Sequence, residues 1–432
     1  METSLIDFIP QVADAMFFMV TLFLPFILGN LLLSTWIRYR RQAFFNKQSP
    51  VLLEVMLPKE ITKTPSAMEL FLLNLNQTGA EGTWYSRKWQ GRTRPWYSLE
   101  MVSLEGKVHF YLWTWNYWKK FLESQIYAQY PGAEVTEVKD YTKQLSFNPE
   151  THNVWGCEMG LSKADAYPIK TYRDYGIGDD KVIEEEVKVD PITPMIEYLG
   201  MIGQKQQVWI QFICRAHKSE NSIPFSDRLA DFNEKFWSGQ IIEAWSELWK
   251  KKDNWKTEAK KEIKELRDSA TPVIVNADGT ESPGFPNITK GLMEKINALE
   301  RSIAKPGFDV GIRALYVGEK DYFDATNIGG LTSVFKQYGS HDLNGFAVKN
   351  STSFDFPWQD FFGTKLLKKK RKLIEAYKSR GYFYPPYNKK KHMVLNSEEL
   401  ATIYHFPGQV SQTPSFERVV SKKAEPPGNL PI

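Results

Sequence analysis

From Ala15 to Ile37 the chain reads AMFFMVTLFLPFILGNLLLSTWI, a run without one charged side chain. As a helix rising 1.5 Å per residue it would be about 34 Å long, enough for a hydrocarbon core of about 30 Å. The pattern therefore predicts a transmembrane helix over 15–37. Glu2, Asp7 and Asp14 precede the run, and Arg38, Arg40, Arg41 and Lys47 follow it. This asymmetry predicts a single-pass protein of the cell membrane, with residues 1–14 outside, a basic linker over 38–50 and the remaining body in the cytoplasm. Membrane lipid is then the first expected partner. A cleavable signal peptide is excluded by the missing basic n-region and the missing small-residue cleavage site.

Beyond the linker the pattern changes to short apolar runs alternating with helical periodicity. Over 51–150, VLLEVML (Val51–Leu57) reads as a strand, and Thr64-Pro65 opens a helix with Ala67, Met68, Leu70, Phe71, Leu72 and Leu75 on its apolar face. Trp96–Leu104 and Val108–Trp115 alternate like two strands of a hairpin joined at Glu105-Gly106-Lys107. Asn116 starts a second helix that Pro131-Gly132 ends, and AEVTEV follows as a strand. The order β-α-β-β-α-β predicts a ferredoxin-like unit.

Residues 151–318 read as a second such unit. Its strands are expected at Val154–Leu161, Ile169–Tyr172, Gln207–Ala216 and Phe308–Val317, with helices at Pro194–Met201 and Gly291–Ile303. A helical insertion occupies 223–270, with an amphipathic stretch from Phe225 to Ser269, and Pro272–Pro286 reads as a loop. The expected fold class is therefore α+β: one transmembrane helix, two tandem ferredoxin-like units, and an irregular C-terminal region. In that region, 319–410, helices are expected at Tyr322–Tyr338 and Gly363–Tyr377, and a short one opens at Asn396-Ser397. Residues 411–432 form a Pro-rich extended tail.

Composition narrows the chemistry. In 432 residues, 55 Lys and Arg face 51 Asp and Glu, a net charge of +4, too weak to announce nucleic-acid binding by itself. Two cysteines, Cys157 and Cys214, point to a reducing compartment and provide no structural zinc set. No G-x-x-x-x-G-K-[ST] loop occurs, and the six histidines never pair as H-x-x-x-H or H-E-x-x-H. His152 with Cys157 lacks the two further ligands that a metal would need. Asp179-Asp180 and Glu184-Glu185-Glu186 have the character of a solvated charged turn, with a hard cation as the alternative. The sequence thus predicts no enzyme, no cofactor, no metal and no catalytic residue.

Two basic stretches interleaved with aromatics remain. WYSRKWQGRTRPWY (Trp84–Tyr97) carries Arg87, Lys88, Arg92 and Arg94, suited to bases and phosphates, to a protein partner, or to anionic headgroups. Lys365–His392 carries Lys368, Lys369, Lys370, Arg371 and Lys372, with Leu366, Leu367, Leu373, Ile374 and Tyr377 placed for an amphipathic helix. Solvent, a protein partner, a membrane surface and nucleic acid all fit it.

Several phrases of the chain have a family look: LPKEITKTPSAMEL, MVSLEGKVHFYLWT with FLESQIYAQYP, VWIQFICRAHK, LNSEELATIYHFPG, TPSF and KKAEPPGNLPI. Together, across most of Val51–Ile432, they resemble the N-terminal, non-catalytic region of bacterial ATPases of the type IV secretion and conjugative-transfer kind. In such relatives the run ending in PP-NLP leads into a P-loop motor. The resemblance implies a membrane-anchored, motorless scaffold or assembly subunit that seats a separately encoded P-loop ATPase, with a homo-oligomer as a further expectation. It marks Leu395–Gly408, including His405, and the tail prolines Pro426 and Pro427 as candidate docking positions. A membrane-tethered nucleic-acid-binding module is the alternative.

Overall fold

The computed structural model describes residues 3–58, 63–81, 83–177, 190–218, 232, 255–271, 273–275, 281–284, 287–384, 387 and 392–408. The chain forms two compact units. The smaller comprises Met1–Lys47, Gly79–Thr93 and Lys218–Asn254; the larger comprises Gln48–Thr78, Arg94–His217 and Trp255–Ile432.

In the smaller unit, α1 (Thr3–Asn46) is one continuous helix of 44 residues. Its Trp36 ring meets Trp89 edge-on at 5.6 Å, and Arg40 Nε donates to the Trp89 carbonyl at 2.5 Å. Trp89 caps the short helix α3 (Trp84–Lys88). Gly91, at φ +67°, lets the chain pass so close to Arg40 that a Cβ there would lie 2.4 Å from its backbone. Among the described residues no helix is long and apolar enough to cross a membrane. That finding overturns the transmembrane span expected over 15–37, together with the single-pass location, the outside N-terminus and the cytoplasmic body. Trp36, at the far end of the run, packs on Trp89, and Ile37 is buried. Of the described side chains earlier in the run, Phe17, Phe18, Leu22, Leu24, Leu28 and Leu32 are exposed.

The larger unit is built on nine strands in one antiparallel sheet: β1 (Pro50–Met56), β2 (Trp96–Leu104), β3 (Lys107–Trp115), β4 (Glu134–Val138), β5 (His152–Leu161), β6 (Gln206–Ala216), β9 (Gly307–Glu319), β10 (Phe346–Ser351) and β11 (Met393–Asn396). Their order is β10-β5-β9-β6-β2-β3-β1-β4, and β11 pairs with β9. A separate two-stranded ribbon joins β7 (Val273–Val275) and β8 (Glu281–Pro283). The architecture is α+β. The two tandem ferredoxin-like units behind a membrane helix are corrected: one sheet runs across the expected boundary. It does so because β2 pairs with β6 along its whole length, from Trp96↔Arg215 to Leu104↔Gln207. One apolar core then serves both halves.

Local chemistry explains the elements. Glu105 and Gly106 both adopt positive φ, 55° and 87°, the backbone that a two-residue hairpin turn requires between β2 and β3. Pro65 opens α2 (Pro65–Leu75), which buries Ala67, Met68, Phe71, Leu72 and Leu75. Trp118, Leu122 and Ile126 recur every four residues on α4 (Asn116–Gln129) and are buried. Each such aliphatic or aromatic side chain contributes about 1.5–3 kcal/mol by leaving water. Also present are α5 (Thr193–Gly200), α6 (Trp255–Ser269), α7 (Lys290–Ala304), α8 (Thr326–Ser333), α9 (Thr364–Lys378) and α10 (Ser397–Ile403). Of the expected insertion over 223–270, only 232 and 255–270 lie within the described residues. Ile169–Tyr172, expected as a strand, is not one. Three of its amides go to side chains instead, Ile169 N–H to Glu399, Thr171 N–H to Asp174 and Tyr172 N–H to Thr402, while Lys170 N–H donates to the Tyr338 carbonyl.

Candidate functional site

Each strand of the sheet sends alternate residues to opposite faces. On β2, Tyr97, Leu99 and Met101 enter the apolar core, so Ser98 and Glu100 face the other way; on β6 and β9 the same parity turns Gln211 and Arg313 to that second face. The register lines these residues into a polar row. It runs Glu54↔Tyr111↔Glu100↔Gln211↔Arg313↔Glu158↔Asn350, one residue per strand across seven strands.

Covering the row are α9 and the chain that follows it. Arg380 donates to both oxygens of Glu100, at 3.0 and 3.1 Å, and to both oxygens of Asp140, at 2.5 and 3.1 Å. Glu100 also accepts from Gln211, Ser98 and Tyr141. One strand further on, Arg313 donates to Glu158 at 3.0 Å and to the carbonyls of Ala376 and Gly381. Burial by itself would weaken the charge of Arg380, but Glu100 and Asp140 outweigh it and hold its pKa well above the usual guanidinium range. Burial, reinforced by Glu100, pushes the Tyr141 and Tyr377 hydroxyls far up. Both therefore stay protonated. The row is a clamp that fixes α9 to the sheet, with the Gln211 Oε1 buried in it without a hydrogen-bond partner.

Near one end of β9 lies a second cluster. Asp309, 2% exposed, pairs in register with Arg215 on β6. Its Oδ2 accepts from Arg215 Nε at 2.7 Å and has Arg94 at 3.4 Å; its Oδ1 lies 2.6 Å from His217 Nδ1 and 3.4 Å from His392. Phe383 lies under the Arg215 guanidinium at 4.2 Å, and the Tyr384 hydroxyl is 3.3 Å from it. Burial tends to raise the Asp309 pKa, but His392, Arg215 and His217 together bring it well below the usual carboxylate range. Asp309 orients the His217 ring, whose Nε2 is buried without a hydrogen-bond partner. An oriented imidazole is half of an acid–base device; the other half, a bonded hydroxyl or thiol, is not found at that nitrogen. Among the described residues no group of three or more His, Cys, Asp or Glu is arranged to hold a metal ion.

The sequence candidates distribute unevenly. Arg87 and Lys88 lie on α3, where Arg87 donates to the Glu81 carbonyl at 3.1 Å, and Arg92 is exposed. Arg94 is buried; besides its place beside Asp309 it donates to the Ala216 carbonyl at 2.7 Å. The two basic stretches do meet: Arg94 and His392 both face Asp309, Trp96 Nε1 donates to the Arg380 carbonyl at 3.1 Å, and the Trp96 ring lies 5.7 Å from that of Tyr384. Lys368, Arg371 and Lys372 are exposed on α9. Lys369 lies over the Phe354 ring, and Lys370 donates to Asn153 at 2.7 Å, burial pushing its pKa down. Pro426, Pro427, Asp179, Asp180 and Glu184–Glu186 lie outside the described residues.

Leu395–Gly408 is part of the interior. Asn396 caps α10 in a reciprocal box with Glu399. Glu398 meets Lys305 at 2.6 Å, Arg301 at 3.3 Å and Arg173 at 3.4 Å. His405 Nε2 lies 2.7 Å from Asp190, and its Nδ1 donates to the Ala401 carbonyl at 2.9 Å. Missed by the sequence reading were Glu100, Arg313, Arg380 and Asp309. For Glu100 and Arg313 the signal was there to see, a charged residue in the middle of a strand that is apolar around it, as in WYSLEMVSL and VGIRALYV; Asp309 stands near the start of its strand and Arg380 in the turn after α9, where no such pattern marks them.

Residues 51–418 match the family described as "Domain of unknown function (DUF8128)". The chain belongs to that family. No curated protein matches it. The DUF8128 match begins at β1 and ends beyond the clamped Leu395–Gly408 segment, so it takes in every residue of the polar row and of the Asp309 cluster.

Proposed function

We propose that this DUF8128 chain is a non-catalytic scaffold or assembly subunit of a transport machine related to type IV secretion and conjugation, and that it seats a P-loop ATPase. The observation supporting this reading is the fixing of Leu395–Gly408, a segment that carries part of the resemblance to such ATPases. Glu398, Glu399 and His405 lock it into the core through Lys305, Ile169 and Asp190, so the chain beyond Gly408 departs from a defined position. A seat for a motor needs that property. The charged groups within the sheet are spent on partners of their own chain, as a platform requires and as a reaction centre does not. The test is affinity isolation of the tagged full-length protein from its native cells, with mass spectrometry. A P-loop ATPase recovered at stoichiometric level is expected, and repeated isolation without one contradicts the proposal.

A further inference from the structure

We infer that the loop 353–363 and the outer face of α9 together form a binding surface for single-stranded nucleic acid. Four large aromatic side chains within seven residues of this loop point to solvent: Phe356 is 49% exposed, Trp358 63%, Phe361 80% and Phe362 90%. Phe356 and Trp358 stack on each other at 4.6 Å and 11°. Such concentrated apolar exposure on a well-packed unit marks a site of contact.

The loop is held at both ends. Thr352 exchanges two hydrogen bonds with Gly156 on β5, and Asp360 accepts from the Leu366 amide at 2.7 Å in the first turn of α9. Lys365 donates to the Gln359 carbonyl and Lys369 lies over Phe354, so the basic helix itself braces the aromatic ledge. On the helix that follows the rings, Lys365, Lys368, Arg371 and Lys372 are exposed and spread over about 10 Å along its axis. Between Phe354 and Glu375 there are six cations against three carboxylates, Asp355, Asp360 and Glu375, and Asp360 is the one spent on the helix start.

Rings with open faces next to a cationic stripe suit unpaired bases stacking while phosphates follow the charges. Duplex nucleic acid keeps its bases stacked on each other and leaves the rings unused. A lipid surface is disfavoured by the helix: an interfacial helix inserts its apolar face, whereas Leu373, Ile374, Ala376 and Tyr377 of α9 are buried in the protein.

The experiment is fluorescence anisotropy of a labelled oligothymidylate of about 20 nucleotides with the full-length chain, across a salt series. Engagement of about three phosphates gives a log–log salt slope near −2, hence about 20-fold weaker binding at 200 mM than at 50 mM salt. Phe361→Ala with Phe362→Ala weakens binding at least about tenfold at fixed salt. Lys368→Gln with Arg371→Gln brings the slope to about −1 or shallower. All four side chains are exposed, and unchanged thermal melting of each variant shows that it folds. Absence of oligothymidylate binding at 50 mM salt overturns the inference. So does binding indifferent to both pairs of substitutions, equal affinity for a duplex, or binding confined to phosphatidylserine-containing vesicles.

Discussion

Replacing Asp309 by Asn removes one negative charge from the midst of Arg94, Arg215, His217 and His392 while keeping the shape of the side chain. In the native cluster Oδ2 accepts from Arg215 at 2.7 Å and Oδ1 pairs with His217 at 2.6 Å, with Arg94 and His392 each at 3.4 Å. An amide has one acceptor oxygen and no charge, so the bond from Arg215 loses its charge assistance and His217 must either change tautomer to accept from the amide NH2 or face another donor, a loss of about 1.5–3 kcal/mol. The two guanidinium groups also lose their buried counter-charge. Breaking a buried ion pair from one side costs about 3–5 kcal/mol, which is the expected destabilisation. With a urea slope of about 3 kcal/mol/M, the midpoint of the larger unit drops by about 1 M or more, read from the fluorescence of Trp96, Trp113, Trp115 and Trp209. The pH profile supplies a second reading. Because Asp309 is more acidic folded than unfolded, the unfolded state binds its proton first as pH falls. Its stabilisation is complete above about pH 4 and disappears as pH drops through the lower folded value, so Asp309→Asn flattens the acid limb of the stability curve. A loss under about 1 kcal/mol, or an unchanged acid limb, would show that the cluster does not hold β6, β9, Phe383 and His392 together.

Three more predictions bear on the same frame. Gly311→Ala places a Cβ 2.4 Å from the Tyr382 ring, the ring that Arg313 covers at 4.7 Å, and destabilises the larger unit by about 1–3 kcal/mol in urea titrations. His405→Gln removes the partner 2.7 Å from Asp190 that, against the upward pull of burial, holds this carboxyl more acidic than usual, and costs about 1–3 kcal/mol, with the loss concentrated above the range in which Asp190 is protonated. Cys157 and Cys214 are buried free thiols, the first pushed up to about 12 by burial. Neither should react with an aromatic disulfide reagent in native buffer, and both should react in denaturing urea; rapid native labelling would refute their placement.

How much was legible in the sequence depends on the range of the interactions involved. The helix opened by Pro65, the hairpin around Glu105-Gly106, the helix from Asn116 and the capped start at Asn396 all form where expected, because periodicity, turn chemistry and capping act over a few residues. The junction of β2 with β6 links positions more than a hundred residues apart, and an antiparallel edge gives no sign in sequence of whether it will be covered. Two units were therefore expected where one sheet exists. Ile169–Tyr172 has strand-like composition, yet its amides are satisfied by Glu399, Asp174, Thr402 and the Tyr338 carbonyl rather than by a ladder. Charge was misread for a related reason. Arg94 sits in a run of arginines that reads as a surface, and only the fold shows Asp309 beside it. The charged stripe of α9 was legible as amphipathic, but the exposed rings preceding it fell in a stretch without periodicity.

The measurement that tests the central claim most directly compares affinity isolates of the full-length chain and of a chain lacking Lys422–Ile432, each expressed in native cells and quantified by mass spectrometry. A P-loop ATPase at stoichiometric level with the full chain, lost with the shortened one at equal recovery of the bait, is the expected result. A full-length chain that brings down no such ATPase, or one that the deletion does not release, would contradict it.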